Sequence, residues 1–211
     1  MKRAIIPLLV ILGVSCCAEP AQGAIITIAI EAVVDYAYDP YGFLGVDIEV
    51  GDLMTGTYAY DTGTGDSSPI EGYAAYWYYD APGSISLSVK GVEFKTDPAN
   101  VDYRIAISDG YQSRDIYSVR TRNNLPLASG IVVDEVYWVL EDSRQTAISN
   151  DALPTEAPIL DDWLFNRVMI NGPDRGPSFS ITGHVTSAAA VPEPATILLL
   201  VAGAGLLRKR K

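Results

Sequence analysis

From residue 24 to about residue 190, apolar and polar side chains change places every second position, and no stretch carries the 3.6-residue period of a helix. Ser84 to Phe94, SISLSVKGVEF, is the clearest example, interrupted only at Lys90-Gly91, where a tight turn fits. Consecutive strand residues point to opposite sides of a sheet, so this pattern restricts the chain to half-buried strands. It places further strands at Ala24 to Val34, Met54 to Tyr60, Tyr73 to Tyr79, Val101 to Ser108, Asp115 to Arg120, Gly130 to Glu141, Trp163 to Ile170 and Ser178 to Thr186. Gly, Pro, Asn and Asp punctuate them. Roughly eight to ten short strands at hairpin-like spacing predict an all-β fold, an antiparallel β-sandwich of jelly-roll type. Ser149 to Asp162 is the long irregular stretch within it.

Both ends depart from the alternation. Lys2 and Arg3 precede an apolar run from Ala4 to Val14, and Ala21-Gln22-Gly23 offers a small-x-small cleavage site. That order predicts a signal peptide over residues 1–23 and a mature chain starting at Ala24. Cys16 and Cys17 stand where a lipid-modified cysteine would, but Gly13-Val14-Ser15 lack the leucine usual three places ahead of it. Cleavage at Ala24 removes both cysteines, so the exported domain, residues 24–187, is expected to hold together by core burial without disulfides. A domain of that length buries about two thirds of its unfolded surface.

A linker is expected from residue 188, then Val191-Pro192-Glu193-Pro194-Ala195-Thr196, an apolar helix over 195–207, and Arg208-Lys209-Arg210-Lys211. The two prolines favour extended backbone, so the helix starts after them. At about 1.5 Å per residue it reaches about 20 Å, short of the ~30 Å hydrocarbon core. It predicts a marginal transmembrane anchor, with the four cations as a cytoplasmic stop and everything upstream exported.

These three parts in this order resemble the PEP-CTERM sorting tail of exported proteins in exopolysaccharide-producing Gram-negative bacteria. The resemblance implies a sorting motif at Val191, Pro192, Glu193 and Pro194, and a membrane-embedded exosortase as the partner that cuts at or near it. It implies a precursor tethered to the inner membrane and later delivery to the cell surface or extracellular matrix, the exopolysaccharide of a biofilm. Gly51 to Asp61, GDLMTGTYAYD, resembles a GDxxxGTYxYD segment common in the same group, and Ser149 to Pro154, SNDALP, resembles another segment common there. No catalytic residues come with either resemblance.

Between residues 24 and 190, nine Lys and Arg face 24 Asp and Glu, a net of −15 against −11 for the whole chain. Such a charge repels phosphate backbones and excludes nucleic acid as an expected partner. The single histidine, His184, shares a strand side with Ser180 and Thr182, away from Phe179, Ile181 and Val185, and no Gly-x-Ser-x-Gly elbow accompanies it. Adjacent carboxylates such as Asp134-Glu135, Glu141-Asp142 and Asp161-Asp162 point to opposite sides of a strand. No enzyme is therefore expected. One histidine and no mature cysteine are too few for an ordinary zinc or copper site.

Calcium is the cofactor left open, at Asp61 and Asp66 in DTGTGD, with Asp35, Asp39 and Asp47 as a second acidic group. Turn chemistry produces the same composition. Tyr76, Trp77, Tyr78 and Tyr79 suggest a platform for stacking sugar rings, with Tyr76 and Tyr78 on one side and Trp77 and Tyr79 on the other. Aromatic residues also fill sheet cores, which is the competing account. Tyr137 and Trp138 invite the same two accounts. The function expected is an exported surface or matrix protein without catalysis. The alternative is a carbohydrate-binding module for extracellular polysaccharide, and after it a hydrolase of the matrix glycan.

Overall fold

A computed structural model describes residues 23–176 and 178–192. The predicted signal peptide up to Gln22, the sorting motif from Glu193 and Pro194 onward, the apolar helix and Arg208, Lys209, Arg210 and Lys211 lie outside the described residues.

The alternation becomes ten strands: β1 (Ile25–Tyr38), β2 (Leu53–Asp61), β3 (Tyr73–Tyr78), β4 (Ser84–Val89), β5 (Val92–Lys95), β6 (Tyr103–Ser108), β7 (Asp115–Thr121), β8 (Glu135–Asp142), β9 (Phe165–Asn171) and β10 (Ser180–Ala190). Every pairing is antiparallel. Lys90 and Gly91, both at positive φ, make the two-residue turn between β4 and β5.

The strands lie in the order β3-β6-β7-β8-β9-β10-β1-β2-β4-β5. In place of the two facing sheets of a sandwich there is one continuous sheet, curled so that its inner side folds over itself. Alternation does not separate these two arrangements, since each strand has one apolar side in both. The curl has a local cause in β1, where register slips between Glu31 and Ala32 and between Val34 and Tyr36 bend the long β1–β10 pair.

The inner side is rich in tyrosine. Tyr58, Tyr60, Tyr103, Tyr117 and Trp138 are buried there. Tyr58 on β2 meets the Trp138 ring edge-on at 5.6 Å, and the Tyr117 hydroxyl donates to the Tyr58 hydroxyl at 3.0 Å. β2 thus packs against β7 and β8, which are remote from it in sheet order. Burial raises the Tyr58, Tyr103 and Tyr117 phenols well above their usual range and pushes Tyr78 up to about 12.

GDLMTGTYAYD is part of this packing. A Cβ on Gly56 would stand 2.0 Å from the Ser86 carbonyl oxygen, so only glycine lets β2 and β4 approach this closely. Asp52 accepts from the Glu49 N–H and pairs with Lys90, while Tyr58 and Tyr60 point inward. The irregular segment after β8 lies on the same inner side, with Ile148, Leu153 and Leu160 against the core. Here the two resembling segments meet: the Tyr60 hydroxyl donates to the Pro154 carbonyl at 2.8 Å, and Tyr76 donates to that of Asp151 at 2.9 Å.

Asp115 and Asp142 stand opposite one another on β7 and β8, both with 0% exposure. Asp115 accepts from the N–H groups of Gly110, Ala147 and Ile148. Burial alone would raise the Asp142 carboxyl, but bonds from the Arg144 side chain, the Thr146 and Arg144 backbone and the Thr146 hydroxyl outweigh it and hold the carboxyl at about 2. The two carboxylates tie down the loop that returns over the core.

Both edges of the sheet are occupied. Ser67 N–H donates to the Ala75 carbonyl and Ala75 N–H donates to Asp66 Oδ1, which blocks β3. Leu125 N–H donates to Lys95 beside a Thr96–Asn124 bridge, which covers the end of β5. Ala188, Ala189 and Ala190, expected to be linker, are the last residues of β10 and pair with Ile30, Ala29 and Ile28. Backbone bonds need no side chain, so a run of small alanines concealed this strand.

Candidate functional site

Strand β3 presents its aromatics to two environments. Tyr76 and Tyr78 are 7% and 4% exposed and face the core, so these two of the four expected platform residues serve packing. Trp77 is half-buried on the other side, and Tyr79, just past the strand, is 73% exposed. The Trp77 and Tyr79 rings lie 6.4 Å apart and within 6° of parallel. The two nearly parallel rings form an outward aromatic pair, with Tyr79 the more open to solvent.

The neighbouring strands extend it. Trp77 pairs with Arg104 on β6, Arg104 with Arg120 on β7, and Arg120 with Tyr137 on β8, so all four stand in one row across the outer side. The Arg104 guanidinium carbon lies 5.2 Å from the centre of the Trp77 ring, in cation–π range. Arg120 pairs with Glu135. Burial raises the Tyr137 phenol, and the charges of Arg104 and Arg120 oppose that shift. The adjacent row, Ala75, Ala106, Ser118 and Val139, is buried and small. Past Arg120 opens a polar cleft of about 550 Å³ lined by Asp102, Arg122, Glu135, Asn171 and Asp174.

Alternation revealed the split within Tyr76 to Tyr79, but not the arginines. Arg104 reads in sequence as an ordinary polar position, and only strand pairing, 27 residues along the chain from Trp77, brings the two together. Trp138 is wholly buried, whereas Tyr137 is on the outer row.

Asp61 and Asp66 organise turns. Asp61 Oδ1 accepts from Gly63 N–H, and Asp66 Oδ1 accepts from Ser68 and Ala75 N–H, each at 2.8 Å. Asp39 likewise accepts from Phe43 and Leu44. Among the described residues no three acidic, histidine or cysteine groups gather as a metal site would require. His184 is exposed, as its strand side predicts, with Nδ1 2.8 Å from Asp35 Oδ1. Glu141 faces outward to Arg114, while its neighbour Asp142 faces inward to Arg144 and Thr146.

Val191 N–H donates to the Thr27 carbonyl at 2.8 Å, so the sheet runs up to the first residue of the expected sorting motif. Among the described residues no helix is long and apolar enough to cross a membrane. No curated protein and no solved structure matches the chain. A family model does match its C-terminal end: residues 190–211 carry the PEP-CTERM protein-sorting motif, consistent with a PEP-CTERM domain-containing protein, and that motif implies export and exosortase processing of a membrane-anchored precursor.

Proposed function

We propose that this chain is a non-catalytic protein of the cell surface or extracellular matrix of a Gram-negative bacterium, retained there by its own grip on the exopolysaccharide. The apolar segment 195–207 holds the precursor in the inner membrane until an exosortase acts at Val191-Pro192-Glu193-Pro194. The mature domain then binds polysaccharide by stacking sugar rings on Trp77 and Tyr79. The observation that carries this reading is the nearly parallel pair on the outer side, beside Tyr76 and Tyr78, which fill the core. An outward pair of that geometry adds little to packing and suits a flat apolar ligand face.

Mass spectrometry of the chain termini in separate membrane and matrix fractions tests the delivery step. The expected matrix form starts at Ala24 and ends near Pro194. A form retaining Lys211 in the membrane, with nothing in the matrix, would refute delivery.

A further inference from the structure

We infer that the polysaccharide recognised on this outer face bears carboxylates, with Arg104 as their contact. The inference deepens the polysaccharide reading and rests on it. Three observations point the same way. The folded part of the chain is strongly acidic, at −15 between residues 24 and 190, yet the platform row carries two arginines side by side on adjacent strands. Like charges directly opposite one another oppose sheet pairing, so their juxtaposition is not explained by folding. Glu135 neutralises Arg120, whereas Arg104 forms no ion pair among the described residues.

Arg104 is also fixed in place. Its guanidinium lies over one face of the Trp77 ring, so a sugar seated against the Trp77–Tyr79 pair lies beside that guanidinium. A planar fork of N–H donors matches a carboxylate in two-point geometry, and a donor already ordered by an aromatic face loses little freedom on binding. A uronic acid residue supplies both requirements at once: an apolar ring face for the tryptophan and an equatorial carboxylate for the arginine. A neutral sugar meets only the first.

The test uses the full chain in detergent, with alginate as the polyuronate probe and its carboxyl-reduced form as the neutral control. Affinity electrophoresis and calorimetry are run at low and high salt. The wild type is expected to bind alginate more tightly than the reduced polymer, with the difference shrinking as salt rises. Arg104→Gln is expected to weaken alginate binding about tenfold, the loss of one charged hydrogen-bonding contact, and to bring it down to that of the reduced polymer. Trp77→Ala with Tyr79→Ala is expected to weaken both. Unchanged thermal melting of each variant shows that the fold is intact. Equal binding of the two polymers, with Arg104→Gln silent and the aromatic double variant weakened, would overturn the carboxylate inference and leave a neutral stacking platform. Failure of the wild type to bind either polymer would overturn both the inference and the polysaccharide reading beneath it.

Discussion

The two sides of this sheet use the same residue types for different ends. On the inner side Tyr58, Tyr60, Tyr78, Tyr103 and Tyr117 are buried, and the hydroxyls of Tyr58, Tyr60, Tyr78 and Tyr117 are engaged by one another or by loop carbonyls. On the outer side the Trp77 and Tyr79 rings lie nearly parallel, and a guanidinium lies over the Trp77 ring. Tyr76 and Trp77 are successive residues, yet one is buried and fixed by the Asp151 carbonyl and the other is half-buried on the outer side. Aromatic content therefore says little about function here. Whether the ring is buried within the fold separates the structural aromatics from the available ones.

Substitutions that break this contrast have ordered effects. Trp138→Ala, at the centre of the inner side, is expected to cost about 3–5 kcal/mol in urea denaturation, through lost transfer energy and the cavity left behind. A shift below 1 kcal/mol would mean that Tyr58 and Tyr117 do not pack on it.

Titration sharpens the contrast next. Unfolded tyrosine ionises near pH 10, whereas the buried phenols have raised values, Tyr78 at about 12. Below pH 10 both states keep the proton and these groups leave stability unchanged. Above it the unfolded chain ionises first, so stability falls as pH rises toward the folded values. The acid side has the opposite sign: Asp142, held at about 2, contributes above the usual carboxylate range near 4, and its contribution is lost as pH falls toward 2. Denaturation midpoints followed across both limbs, with phenolate absorbance on the alkaline one, check the two signs.

Tyr60→Phe is a smaller inner-side change. It leaves the Pro154 carbonyl without its donor and is expected to cost about 1 kcal/mol, measured by the same denaturation. Smallest is the outer double change, Trp77→Ala with Tyr79→Ala, expected within about 0.5 kcal/mol of wild type because neither ring is buried in the core. A loss as large as that of Trp138→Ala would place the pair in the structural set.

Much of the fold was legible in the chain because each strand has one wet side. Alternation located β4 and β5 with their Lys90-Gly91 turn, put Tyr76 and Trp77 on opposite sides, and set His184 in solvent. What lay hidden depends on partners distant in sequence. One curled sheet and two stacked sheets have the same period. Ala188 to Ala190 gave little side-chain signal for a strand that pairs with β1. Asp115 read as a polar strand position, because the loop that carries the Ala147 and Ile148 N–H groups returns to it only in three dimensions. Arg104 was silent for the same reason: a cation has meaning beside Trp77 only once β3 pairs with β6.

The most direct test is retention of the protein by the host's own extracellular polysaccharide, measured by co-sedimentation of the wild type and of the Trp77→Ala, Tyr79→Ala double variant at matched melting temperature. The polysaccharide is predicted to carry the wild type into the pellet and to leave the variant in the supernatant. Equal sedimentation of the two folded proteins would contradict an outer aromatic pair as the seat of binding.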